Sequence, residues 1–125
     1  MTSQWQHFTI EELTCRCGCG NTLMDEPFME KLVNLRRRVK FALPVTSGYR
    51  CPSHNHAVSE TGLDGPHAQG KAVDIQISGE LATILIREAL NTGFLGMGIR
   101  QHGEHSQRIV HLDTVPRVCQ IIWTY

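Results

Sequence analysis

The sequence predicts a mixed domain of helices and strands, on three observations. Apolar residues recur at helical intervals across residues 27–40 and again across 80–91, Ala72 to Ile77 alternates, and the last third reads as a series of strands. A chain of 125 residues is long enough for one domain with a real core and leaves little room for a second, so residues 1–125 are expected to form a single domain.

The elements follow from caps and periods. Thr9-Ile10-Glu11-Glu12 has capping-box spacing, which predicts a short helical turn starting there. From Pro27 to about Lys40, Phe28, Leu32, Leu35 and Val39 share one side, Asp25 is placed to cap, and Arg36, Arg37 and Arg38 lie mainly on the other side as a solvated face. Leu43 to Gly48 reads as a short strand entering a turn. His54 to Gly70 has the Gly, Ser, Asn, Asp and Pro content of a long surface loop, the kind of segment that carries function. Along Ala72 to Ile77, Val73, Ile75 and Ile77 take one face while Asp74 and Gln76 take the other, so Asp74 leaves the core. Ser78 is expected to cap a helix over about Glu80 to Asn91, with Leu81, Ile84, Leu85 and Leu90 as its apolar side and Gly93 as its stop. Strands are expected at Gly96 to Arg100, Arg108 to Asp113 and Arg117 to Trp123, with Gly103-Glu104-His105-Ser106 turning between the first two. Ile109, His111 and Asp113 then share a face. No repeat or low-complexity tract is present.

Composition excludes more than it selects. Twelve basic side chains balance twelve acidic ones, so no broad field favours nucleic acid or an anionic membrane. With only 6% aromatic residues as well, a nucleic-acid-binding zinc module built from the cysteines is disfavoured, and no nucleic-acid partner is expected. The opening residues lack a basic start and an apolar run, and no stretch approaches the roughly 18 to 20 apolar residues of a transmembrane span. Synthesis and folding in the cytoplasm are therefore expected. Oligomeric state leaves no mark on the sequence.

The five cysteines include the close set Cys15-Arg16-Cys17-Gly18-Cys19, with Cys51 and Cys119 apart. Without an export signal the default is reduced thiols. Free or buried thiols, a disulfide formed after release into an oxidising space, and a structural zinc site of Cys15, Cys17, Cys19 and Cys51 all remain open, since overlapping C-x-C spacings are weaker than paired C-x-x-C. Cys119, in an apolar segment, reads as a small core residue.

The chemistry concentrates in His67, Asp74 and His111. Two imidazoles and one carboxylate hold zinc while leaving its fourth position open, the composition of a catalytic site, not a closed structural one. His67 ends a loop stiffened by Pro66, Asp74 projects from the following strand, and His111 projects from another strand able to pair in the same sheet. Zinc held there lowers the pKa of its water from roughly 15.7 to about 7 and polarises a carbonyl under attack, which points to hydrolysis.

Three ordered motifs carry a resemblance: Ser47-Gly48-Tyr49-Arg50-Cys51-Pro52-Ser53-His54-Asn55, His67-Ala68-Gln69-Gly70-Lys71-Ala72-Val73-Asp74, and Val110-His111-Leu112-Asp113. Together they resemble the zinc D-Ala-D-Ala carboxypeptidase family, which includes cell-wall endopeptidases, and its small members from bacteriophages and bacteria above all. Phe8 through Gly20 resembles the start of such phage domains, so the likeness spans nearly the whole chain. The resemblance implies an α+β fold of the hedgehog/DD-peptidase kind, with a central antiparallel sheet and helices packed on one side. It implies His67, Asp74 and His111 as zinc ligands, and Arg50 as the group that holds a substrate oxygen, work suited to a permanently charged fork of donors.

The chain departs from that family twice. Gly65 stands where many relatives carry Ser. Where several place a histidine two residues before the last ligand, or an acid three before it, this chain has Ile109 and Arg108, neither a useful base at neutral pH. Glu104, His102 and His105 in or beside the hairpin turn are the candidate replacements, Glu104 first among them. Asp113 is placed to orient His111, and His54 and His56 to shape the pocket rim. The expected function is a zinc peptidase acting on peptidoglycan stem peptides next to a D-amino acid, as carboxypeptidase or endopeptidase, reaching the bacterial wall by phage-type release or as a virion component. The alternative is a non-catalytic zinc-containing virion, tail or wall-binding module of the same fold.

Overall fold

The computed structural model describes residues 5–59 and 65–125. Its elements are α1 (Ile10–Leu13), α2 (Glu26–Val39), β1 (Val45–Ser47), α3 (Pro52–Val58), β2 (Ala72–Gln76), α4 (Gly79–Asn91), β3 (Gly96–Arg100), a 3-10 turn (His105–Gln107), β4 (Ile109–Asp113) and β5 (Ile121–Thr124). The result is an α+β fold around one five-stranded sheet of order β1-β2-β4-β3-β5.

Local chemistry explains the helices. At α1 the capping box closes in both directions: the Glu12 amide donates to the Thr9 hydroxyl at 3.1 Å, and the Thr9 amide donates to the Glu12 carboxylate at 2.9 Å. Asp25 caps α2 by accepting from the Phe28 amide at 3.0 Å, and Lys40 ends it in the left-handed region with its amide returning to Arg36. Phe28, Met29, Leu32, Val33 and Leu35 form the buried side of α2, while Arg37 and Arg38 are exposed, as expected.

The sheet sorts its two faces by the two-residue period. Val73, Ile75, Met97, Val110 and Leu112 join one apolar cluster with α2 and α4, where Phe28 and Phe94 meet edge to face at 5.9 Å. The opposite face carries Asp74, His111 and Asp113. Pairing is antiparallel from β1 through β3, but β5 runs parallel to β3, so the sheet is mixed and not wholly antiparallel. β4 ends at Asp113 and β5 begins at Ile121, both level with Gly96, so the chain crosses over the start of β3 and β5 runs in the direction of β3.

Other expectations change in detail. The stretch read as a loop from His54 begins inside α3, started by Pro52 at its first position; residues 60–64 of that stretch lie outside the described residues. Ser78 stands at the N-cap position of α4, as expected, but its hydroxyl makes no capping hydrogen bond and pairs with His105 Nδ1 at 3.1 Å. The buried side of α4 is Ala82, Leu85 and Ala89, with Ile84 and Leu90 packed against the core as expected, while Leu81 is 46% exposed and departs from the expected stripe. Cys119 is exposed and not in the core. No helix among the described residues is long and apolar enough to cross a membrane.

Candidate metal centre

Register places the site. Asp74 on β2 stands directly opposite His111 on β4, and both point away from α2 and α4. His67 arrives from a turn closed by three amides: Gln69 to Gly65 at 3.1 Å, Gly70 to His67 at 3.2 Å and Lys71 to Pro66 at 3.0 Å. The turn is docked by the Asp25 amide on the Gly70 carbonyl at 2.9 Å and by the Arg50 amide on the His67 carbonyl at 3.2 Å. Gly70, at φ +70°, is required there, since a Cβ would run into the Leu23 carbonyl oxygen.

One oxygen of Asp74 is the meeting point. Oδ1 lies 3.2 Å from His67 Nε2 and 3.0 Å from His111 Nδ1, and the three side chains are buried. The far nitrogen of each imidazole faces an acceptor: His67 Nδ1 donates to the Gly48 carbonyl at 2.8 Å, and His111 Nε2 donates to Asp113 Oδ2 at 2.8 Å. Those bonds fix the tautomers, leaving the lone pairs of His67 Nε2 and His111 Nδ1 aimed at a carboxylate oxygen. Three acceptors converging without a donor call for a cation. Two neutral imidazoles and one carboxylate, on ligand atoms within 4.8 Å of one another, fit zinc with a position left open.

The protonation pattern agrees with that geometry. Burial pushes the Asp74 carboxyl up, but its close contacts with His111 and His67 outweigh that and hold the group below the usual carboxylate range. Burial lowers His111, and the bonds to Asp113 and Asp74 more than reverse it, so the net shift is upward. Asp113, fully buried, is likewise depressed on balance: desolvation raises it, while His111 and Arg117 lower it more.

A second layer orients these groups. Asp113 pairs with Arg117, whose guanidinium lies 5.6 Å from the Trp123 ring centroid, and Trp123 packs on His111 at 5.2 Å. Gly96 and Gly98 open the space for this layer. They stand opposite Asp113 and His111 in the β3–β4 ladder; a Cβ at Gly98 would lie 2.6 Å from Trp123 Nε1, and one at Gly96 would strike the Asp113–Arg117 pair. The alternation Gly96-Met97-Gly98 is the sequence signal for that space. Arg117, Trp123 and Asn55 carried no comparable signal.

Arg50 is brought to the centre. Its Nε donates to Ser47 Oγ at 3.1 Å, Nη1 to Asn55 Oδ1 at 3.3 Å and Nη2 to Asp74 Oδ2 at 3.3 Å. A guanidinium has five N–H donors, so this anchoring leaves donors for another group. Asn55 is the fully buried member of α3, between the half-buried His54 and the exposed His56. Glu104 is exposed at the head of the 3-10 turn, and no hydrogen bond or ion pair among the described residues joins it to His67, Asp74 or His111. His105 is directed to Ser78 instead.

No curated protein matches the sequence. The sequence pattern of the family described as Peptidase M15 does match, over residues 6–113, a stretch that takes in the Arg50 turn, the His67-to-Asp74 segment and His111. With a peptidase pattern spanning most of its length, and a zinc-compatible triad built on that same stretch, the chain belongs to the M15 family of zinc metallopeptidases of D-Ala-D-Ala carboxypeptidase type.

Proposed function

We propose that this chain hydrolyses peptide bonds next to D-amino acids in peptidoglycan stem peptides, either at a terminal D-Ala-D-Ala or within a cross-link. The observation that carries the reading is the convergence of His67 Nε2, His111 Nδ1 and Asp74 Oδ1, with the Arg50 guanidinium bonded to the other oxygen of Asp74. His67, Asp74 and His111 would hold zinc, which when bound supplies Lewis acidity and a water of near-neutral pKa.

The remaining work falls to the chain itself. Arg50, fixed by Ser47, Asn55 and Asp74, turns its free donors to the substrate carbonyl or terminal carboxylate, and there stabilises negative charge that grows during attack. Asp113 and Gly48 keep the two imidazoles in the tautomers that bind metal. Glu104 is assigned as the base that accepts the proton, carried in by its hairpin tip when substrate binds. Such an enzyme acts at the bacterial wall, released as a phage-type lysin or carried by a particle.

A second reading, a wall-binding or virion module of the same fold without turnover, is favoured by the exposed position of Glu104 and by Arg108 and Ile109 ahead of His111. Incubating zinc-loaded protein with purified peptidoglycan, and reading new amino and carboxyl termini by mass spectrometry, separates the two. New termini support the peptidase. Binding to the sacculus without cleavage supports the module.

A further inference from the structure

We propose that Cys15, Cys17, Cys19 and Cys51 form a second metal site, a closed tetrathiolate for zinc that clamps the N-terminal segment to the turn carrying Arg50. The four sulfurs come from two segments far apart in the chain, and all lie within 4.8 Å of one another. Cys15 Sγ is 3.4 Å from Cys17 Sγ, and Cys17 Sγ is 3.5 Å from Cys51 Sγ. A tetrahedron with Zn–S of about 2.3 Å has edges of about 3.8 Å, so small adjustments close it.

The surroundings are those of a thiolate cage. The Cys51 amide donates to Cys15 Sγ at 3.3 Å, the kind of bond that orients a metal-bound sulfur. The Cys15 amide donates to the Asn21 carbonyl at 3.0 Å, closing the loop, and Gly18 and Gly20 at φ +90° and +78° turn it back on itself. Between Arg16 and Asn21 the loop has no large apolar side chain, yet its exposed Cys17 and Cys19 point inward at Cys15 and Cys51. Hydrophobic burial does not account for that convergence; shared ligation does. Soft sulfur donors select zinc over magnesium or calcium, and four of them leave no open position, so the role is structural.

The clamp bears on the other centre through the backbone. The Tyr49 amide donates to the Leu13 carbonyl at 2.9 Å, and Cys51 follows Arg50 directly, so the joined segments bracket the Gly48-Tyr49-Arg50 turn. Its existence does not depend on the peptidase reading.

The test uses the full chain carrying His67→Ala, which clears the triad, and reads zinc content, thiol reactivity and the cobalt spectrum. About one zinc per chain should persist after dialysis. Only Cys119 should react rapidly with a thiol reagent, all five reacting after denaturation with a chelator, and cobalt should give sulfur-to-metal charge-transfer absorption. Adding Cys17→Ser and Cys19→Ser should abolish the retained zinc; if that variant does not fold, the cobalt spectrum of the parent decides alone. Loss of all zinc with five reactive thiols, or fewer than five thiols after denaturation without a reductant, overturns the proposal. An unchanged zinc content on introducing His67→Ala into wild type would instead count against the triad.

Discussion

Asp113 Oδ2 lies 2.8 Å from His111 Nε2, and the same carboxylate pairs with Arg117, so the imidazole that faces Asp74 is held from behind by a buried, charge-balanced group. This arrangement sets which nitrogen of His111 is free for metal. Asp113→Asn keeps the shape but removes the charge, and it should weaken zinc binding at the triad by about 10-fold to 100-fold. Competition with a chelating indicator measures this; unchanged affinity would remove Asp113 from the orienting role.

Arg50→Lys preserves the positive charge and loses the fork that reaches Ser47, Asn55 and Asp74 together. Cleavage of a stem peptide should fall by about 100-fold in kcat, with zinc content unchanged. A variant as fast as wild type would show that Arg50 only braces the turn.

Glu104 stands on the hairpin tip, tied to the fold through its neighbour His105 and Ser78. As the base it should matter to turnover and not to metal: Glu104→Ala should lower kcat by about 100-fold or more and leave zinc affinity as it was. Full activity in that variant would move the base elsewhere.

Gly70 is held at φ +70° against the Leu23–Asp25 backbone, and it positions the turn that presents His67. Gly70→Ala adds both a left-handed strain and a clash, so thermal or denaturant unfolding should show a loss of at least about 2 kcal/mol. A loss below about 0.5 kcal/mol would mean that the turn relaxes freely.

The sequence was most legible where one local rule decides. The capping box at Thr9, the Asp25 cap and the two-residue alternation around Val73 and Ile75 act over a few residues, and the two helices and the strand they mark are present. The convergence of His67, Asp74 and His111 was legible because their residue types form a ligand set and Asp74 and His111 fall on the polar face of their strands. What stayed hidden depended on partners distant in the chain. Leu81 is exposed although Ile84, Leu85 and Leu90 of the same stripe meet the core, because the buried side of α4 is completed by Ala82 and Ala89. Ser78 takes the N-cap position its sequence context predicts, but His105 from the hairpin takes its hydroxyl. Gly96 and Gly98 matter for what they leave open to Trp123 and Arg117, and their alternation marks a space without saying which distant side chains fill it.

The central claim is that His67, Asp74 and His111 hold one catalytic zinc, and calorimetric titration of metal-free protein with zinc tests it most directly. Compared with wild type, the His67→Ala, His111→Ala double variant should lose one binding event, and with it all peptidoglycan cleavage. Identical isotherms for the two proteins would contradict the account.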